Sequence, residues 1–247
     1  MYTSLALALV AICMSVSWRY FWSFAGQPSI SSVTVYPVST LVLDAGHGGE
    51  DGGAVSMTGI SESQINLAIT LKMDQILGLY GVAPVLLRDQ DISLHDAGAA
   101  TLREKKVSDL KNRVAAIQSL ENPTLLSIHQ NSYPDGKYKG AQVFYAPTEQ
   151  SQELAQHIQN ALRGSLQPEN TRECKPIPDT VYLMNHIDCQ AVLIECGFLT
   201  NQAEEALLRD SGYQKKLAMT LSSAWLSYDD LETEDLSGLQ LRENLLE

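Results

Sequence analysis

The chain has 247 residues, 45% hydrophobic and 19% charged, a composition that can bury a sizeable core and excludes a disordered or fibrous chain. Acidic residues outnumber basic ones 29 to 17, for a formal net charge of -12. No Lys/Arg-rich stripe interrupts that excess, which argues against nucleic acid as a partner. The four cysteines, Cys13, Cys174, Cys189 and Cys196, form no C-x-x-C pair, so a zinc ribbon or a thioredoxin-like site is not indicated. Buried free thiols are the expectation, with a Cys174–Cys189 bridge left open by the spacing.

In chain order, residues 4–18 read SLALALVAICMSVSW, uncharged and apolar, and Arg19 ends the run. The run is short for a membrane span, which needs about 20 residues, and fits the apolar region of a signal peptide. Ser23-Phe24-Ala25 before Gly26 supplies a small-x-small cleavage pattern, although no Lys or Arg precedes the apolar run. The expectation is export, with residues 1–25 a signal peptide or a retained membrane anchor. A buried helix of a cytosolic protein is the alternative. A lipoprotein signal at Cys13 is disfavoured by Ile12 before it. Residues 26–39, with Pro28 and Pro37, read as a linker.

From residue 40 short apolar runs alternate with helical patterns. The runs at 41–43, 85–87, 124–128, 141–145 and 191–194 are continuous rather than alternating, as suits strands covered on both faces. Residues 62–79 place Ile65, Ile69, Leu71, Ile76 and Leu79 on a broad apolar face, with Ser61 as the expected N-cap. Further helices are expected at 107–117, at 150–162 and in two segments after Asn201. The alternation predicts a single α/β domain over residues 40–228, with a mostly parallel central sheet flanked by helices on both faces. Residues 229–247 form an acidic tail, expected as a frayed or amphipathic appendage.

The chemistry-bearing residues stand just past the strand runs: His47 in DAGHGG (44–49), His129 in SIHQN (127–131) and Glu195 in LIECG (193–197). In an open parallel sheet ligands bind outside the carboxyl ends of the strands, so the three converge on one edge. A carboxylate leaving a buried strand is costly unless paired, metal-bound or catalytic. Hydrolytic zinc commonly takes three protein ligands and keeps one position for water. Glu62, opening the helix after the His47 loop, is one candidate beside the two histidines. Glu50 is another, since His47 and Glu50 have H-x-x-E spacing.

The ordered set LVLDAGHGG (41–49), ISESQINLAI (60–69), LLRDQD (86–91), LLSIHQNS (125–132), KGAQVFY (139–145) and AVLIECGFLTNQAEEALL (191–208) resembles the zinc-dependent N-acetylmuramoyl-L-alanine amidases of the bacterial autolysin family. The resemblance runs from about residue 40 to 228. Residues 101–114 and 172–186 are similar to segments of the germination-specific branch that modifies spore cortex. The resemblance implies Zn2+ held by His47, Glu62 and His129, with Glu195 as catalytic general acid/base. It implies peptidoglycan as the substrate, cut between N-acetylmuramic acid and L-alanine, on the extracytoplasmic side, in cell wall or spore cortex. The chain's acidity means that affinity for a largely anionic wall must come from a shaped groove. Ala45 stands where the family usually has Pro, Gln130 where it has a small residue, and Cys196 sits beside the catalytic Glu; none of these removes a ligand, though Gln130 is expected to alter the cleft beside His129. Two rivals remain: a zinc carboxypeptidase using His47 and Glu50, for which no carboxylate-binding Arg stands out, and a wall-binding module without turnover.

Overall fold

In the computed structural model the backbone is described for residues 39–243 and the side chains for residues 39–229. The expected targeting segment and nearly all of the linker lie outside the described residues. The described elements are β1 (Thr40–Ala45), α1 (Glu62–Leu79), β2 (Val85–Leu86), α2 (Leu102–Gln118), β3 (Pro123–Asn131), β4 (Gln142–Tyr145), α3 (Ser151–Ser165), β5 (Lys175–Pro176), a 3-10 turn (Leu183–Asn185), β6 (Gln190–Phe198), α4 (Gln202–Arg209) and α5 (Ser211–Glu243). No helix of the described residues is long and apolar enough to cross a membrane.

The strands form one sheet in the order β2-β1-β3-β6-β4-β5. β2, β1, β3 and β6 run parallel, whereas β4 runs against β6 and β5 follows β4. The expected mostly parallel sheet is therefore present, with a reversed margin. A parallel return needs a long crossover, usually a helix; residues 132–141 carry the chain from β3 to β4 without one, so β4 comes back in the opposite sense. α1, α3 and α5 cover one face through Ile65, Ile69, Met73, Leu154, Ile158, Leu221 and Trp225, packed on Leu43, Ile128 and Ile194. On the other face Ile117 of α2 and Leu183 and Met184 of the 3-10 turn meet Val42, Leu125 and Leu193. Each such side chain, fully buried, contributes about 1.5–3 kcal/mol of transfer free energy.

The helices show where local signals compete. α1 has the expected bounds, but its core stripe is Ile65, Ile69, Met73 and Leu77, at steps of four. Leu79, expected on that face, is 85% exposed, because two residues beyond Leu77 a helix has turned roughly 200°. Ser61 holds the extended N-cap conformation without a capping side-chain bond. The first amides of α1 are satisfied by loop carbonyls instead: Glu62 N donates to Ala54 O (2.8 Å) and Ser63 N to Gly52 O (3.0 Å). α2 begins five positions before the expected residue 107, because Thr101 and Glu104 form a reciprocal capping box. The backbone of α5 stays helical through Glu243, so the helix extends past residue 229, where the acidic tail is expected to begin. Cys174, Cys189 and Cys196 are free; the Cys174–Cys189 bridge left open by the spacing does not form.

A buried ion network ties α2 to β1. Arg113, 2% exposed, meets the carboxylates of Asp44 and Asp109 and donates from Nη2 to His47 O (2.8 Å). Ser127 Oγ donates to Asp44 at 2.6 Å. Burial alone would raise the Asp44 carboxyl, yet the Arg113 charge and the Ser127 hydroxyl hold it below its ordinary value. Removing one partner of such a group strands the other charge. Arg113→Met is therefore expected to cost about 3–5 kcal/mol, read as a lowered urea midpoint; an unchanged midpoint would show that the network is not what joins α2 to β1.

Candidate active site

Because β1, β3 and β6 are parallel neighbours, their carboxyl ends open on one edge. His47 follows β1 by two residues, and His129 pairs in register with Glu195 across β3 and β6, so the two side chains share a sheet face. Beyond this pair the ladder is irregular: Asn131 pairs with Phe198, leaving two residues of β6 opposite one of β3. Such a bulge ends regular pairing where side chains must be re-aimed.

His47 adopts φ 62°, an uncommon conformation for a residue with a side chain. It is held from three directions. Gly48 N donates to Asp51 O at 2.8 Å, and Asp51 N to Gly48 O at 3.2 Å. Asp51 Oδ2 accepts from the His47 ring at Nδ1 (3.0 Å) and is paired with Lys106 (3.2 Å). Beneath the loop Arg88, only 2% exposed, donates to the carbonyls of Ala45 (2.8 Å), Gly46 (3.0 Å), Ser63 (2.9 Å) and Gln90 (2.9 Å). With Nδ1 committed to Asp51, Nε2 of His47 faces inward, 3.3 Å from Glu62 Oε2.

Glu62 is the hub. Its Oε1 lies 2.9 Å from His129 Nδ1 and accepts from Gln130 N (3.0 Å) and Asn66 Nδ2 (3.3 Å). Its Oε2 also accepts from Ala54 N (3.0 Å). The two imidazoles meet edge to face, centroids 5.1 Å apart. One ligating atom each from His47, Glu62 and His129 falls within 4.8 Å of the others, compact enough to share one cation. Burial opposes charge at Glu62, but hydrogen bonds from His129 and His47 hold its carboxyl well below the usual range. For His47 burial likewise opposes charge, and Asp51 and Glu62 outweigh it, pushing the ring up to about 9. Two glycines make room. A Cβ on Gly46 would lie 2.2 Å from the His129 ring, and one on Gly53, at φ +69°, 2.6 Å from Glu62 Oε2 and 2.7 Å from His47. Two imidazoles, one carboxylate and a cradle that side chains would fill fit a divalent metal.

Glu195 stands beside this group and outside it. The residue is half-buried, and its Oε2 is shut from solvent with no hydrogen-bond partner. Burial, reinforced by the Glu62 charge and opposed by His129 and His47, pushes its carboxyl up to about 7. A carboxylate with one oxygen unsatisfied and a proton affinity near neutrality is suited to carrying a proton.

Glu50 is not part of the converging group. Its half-exposed side chain pairs instead with Lys105 at 2.6 Å. The buried arginines near the loop are occupied by carbonyls and acids, so neither offers a carboxylate-binding end to the carboxypeptidase reading. Gln130, expected to alter the cleft beside His129, is buried against Asn66, its Nε2 donating to Asn66 Oδ1 (3.2 Å). Asp51, Asn66, Arg88 and Arg113 escaped the sequence reading. Only Arg88, directly following the β2 run, and Asp51, in the glycine loop, had a positional signal.

Glu195 carries a measurable consequence in the metal-free protein. The folded state holds its proton up to about pH 7, whereas the ordinary value is 4.5. The folded state therefore binds more protons between those values, and this group's contribution makes stability fall as pH rises from 4.5 to about 7, by up to about 1.4 kcal/mol per pH unit. Glu195→Gln is expected to flatten that limb in urea unfolding followed across the window. Identical slopes in wild type and variant would place the proton elsewhere.

Comparison with known proteins places the chain as a whole. Residues 41–225 match the N-acetylmuramoyl-L-alanine amidase family. The germination-specific N-acetylmuramoyl-L-alanine amidase of Bacillus subtilis is 35% identical over 189 residues, covering 76% of this chain and 78% of that protein. Among solved structures, the CwlD amidase of Clostridioides difficile, determined in complex with the GerS lipoprotein, superposes with a TM-score of 0.75 at 40% identity, over 78% of this chain and 99% of that one. An N-acetylmuramoyl-L-alanine amidase of Clostridium difficile 630 gives 0.65 at 28% identity, over 79% of this chain and 98% of that one. The match spans three-quarters of the chain on the same fold: this protein belongs to the N-acetylmuramoyl-L-alanine amidase family, enzymes that hydrolyse the bond between N-acetylmuramic acid and L-alanine in peptidoglycan.

Proposed function

We propose that this amidase is a zinc enzyme of spore-cortex maturation, exported by its N-terminal segment, with His47, Glu62 and His129 as the metal ligands and Glu195 as the general acid/base. The observation that carries the metal assignment is the convergence of the three side chains within 4.8 Å, in a cradle kept open by Gly46 and Gly53. The cortex role rests on the likeness to the germination-specific amidase of Bacillus subtilis. The export assignment rests on the apolar run at residues 4–18.

Zinc in that position supplies a Lewis acid that acidifies a water and polarises the scissile carbonyl. The protein's own groups do the rest. Asp51 fixes the His47 ring with Nε2 inward, and the carboxylate–imidazole pair keeps that nitrogen basic. Asn66 and the Gln130 amide orient Glu62. Glu195 accepts a proton from the attacking water and returns it to the amine leaving with L-alanine, a task that its raised proton affinity suits.

Three variants test the assignment on purified protein. Glu62→Gln is expected to lower zinc content sharply, while Glu50→Gln leaves it normal; the reverse would move the site to the carboxypeptidase pattern. Glu195→Gln is expected to fold and keep its zinc while stem-peptide release falls about 100- to 10,000-fold. Zinc loss in that variant would make Glu195 a ligand, and near-normal turnover with full zinc would remove it from the mechanism. For the cortex role, an endospore former lacking the protein is expected to make cortex whose muramic acid keeps its stem peptides; unaltered cortex would assign the enzyme to vegetative wall.

A further inference from the structure

A second concavity opens on the same sheet edge, one strand beyond Glu195. It encloses about 500 Å3 between the β3–β4 loop, the chain after α3, and α4. Three basic residues line it, Lys137, Lys139 and Arg172, with two acids, Glu169 and Glu204. Their availability differs. Glu204 accepts with one oxygen from Gly140 N and with the other from Phe198 N, both at 2.8 Å, so its carboxylate pins the loop to the end of β6. Lys137 is paired with Asp135 at 2.7 Å. The ammonium of Lys139 makes no hydrogen bond or ion pair among the described residues.

Arg172 is built for presentation. Its Nε donates to Lys139 O (2.9 Å), its Nη1 to Gln142 Oε1 (2.7 Å), and its guanidinium lies 4.7 Å from the centroid of the Phe198 ring. Nη2 makes no hydrogen bond among the described residues. The side chain is thus held in one orientation with one donor edge open, and a preorganised guanidinium binds a carboxylate at small entropic cost.

Its anchor also sets its place relative to the reaction. Gln142 pairs in register with Glu195 across β4 and β6, so Arg172 is held by the strand next to that of the proposed catalytic carboxylate, neighbouring strands lying about 4.8 Å apart. An extended peptide advances about 3.3–3.6 Å per residue. A stem peptide whose L-alanine amide lies at Glu195 and that runs on toward β4 would bring its next residue to that neighbouring strand. In peptidoglycan that residue is acidic, with its carboxylate free or converted to the carboxamide.

We propose that Arg172, with Lys139, forms a subsite for the free carboxylate of the stem residue following L-alanine, making the enzyme selective for acid over amidated stems. The subsite rests on the amidase reading, and the experiment separates the two. Steady-state kinetics are measured on two muramyl-peptide fragments that differ only in carboxylate against carboxamide at that residue. The wild type is expected to show a lower KM for the acid. Arg172→Gln should raise that KM about 10-fold or more, the usual weight of a charge-assisted hydrogen bond, with kcat little changed and the KM of the carboxamide fragment, whose oxygen accepts only an uncharged-partner hydrogen bond, raised by a smaller factor. Lys139→Gln, which breaks no hydrogen bond of the fold, should act in the same direction by a smaller factor and stands alone if Arg172→Gln fails to fold. Equal KM values for both fragments in the wild type, or equal effects of a substitution on both, would overturn the subsite while leaving the amidase intact. Cleavage of neither fragment by the wild type would overturn the amidase reading, and the subsite with it.

Discussion

The candidate site depends on two buried arginines that hold backbone carbonyls. Arg88 and Arg113 between them bind the carbonyls of Ala45, Gly46 and His47 from below. Consecutive carbonyls leaving a strand end have lost their ladder partners and cannot stay buried unbonded. A guanidinium offers five donors in a rigid plane and remains charged when buried, which an ammonium does less readily. Arg88 also reaches Ser63 O in the first turn of α1, so one side chain sets the distance between the His47 loop and the helix bearing Glu62. Asp44 and Asp109 balance Arg113, and the loop inherits the rigidity of β1 and α2.

On that base the inner polar groups are arranged by what each has left to give. His47 donates from Nδ1 to Asp51 and turns Nε2 inward, whereas His129 turns Nδ1 to Glu62. The two rings present different nitrogens because their supports lie on opposite sides. Glu62 concentrates hydrogen bonds from α1, β3 and the glycine loop, and so stays ionised despite burial. Glu195, a neighbour on the sheet, receives no bond at Oε2 and moves the other way. Two neighbouring glutamates thus differ in proton affinity: hydrogen bonds and the imidazole charges outweigh burial at Glu62, whereas burial and the Glu62 charge prevail at Glu195.

The reversed margin of the sheet shapes the surroundings. Since β4 runs against β6, its amino end and the preceding loop lie at the carboxyl edge of the parallel strands. Tyr138 from that loop stacks on Phe198, with centroids 6.2 Å apart, and Asn201 Nδ2 donates to Gly136 O. A wholly parallel sheet would have turned this end of β4 to the opposite edge, leaving no wall beside Glu195.

The sequence alone determined the α/β class, the parallel core of β1, β3 and β6, and the convergence of His47, His129 and Glu195. These follow from continuous apolar runs ended by polar residues, a local pattern that burial enforces strand by strand. The bounds of α1 were equally legible from its periodicity, and the TLRE capping box at 101–104 was present to be read. The choice of Glu62 over Glu50 could be named through family resemblance, but its physical ground is tertiary: α1 docks its first turn onto the loop carbonyls of Gly52 and Ala54, while Glu50 is drawn outward to Lys105. Likewise the direction of β4, the burial of Gln130 behind Glu62, and the roles of Arg88, Arg113 and Asp51 were decided only by the folded structure. Each depends on contacts between segments far apart in the chain or on which way a loop turns, and neither residue type nor spacing encodes that geometry until the sheet has brought the segments together.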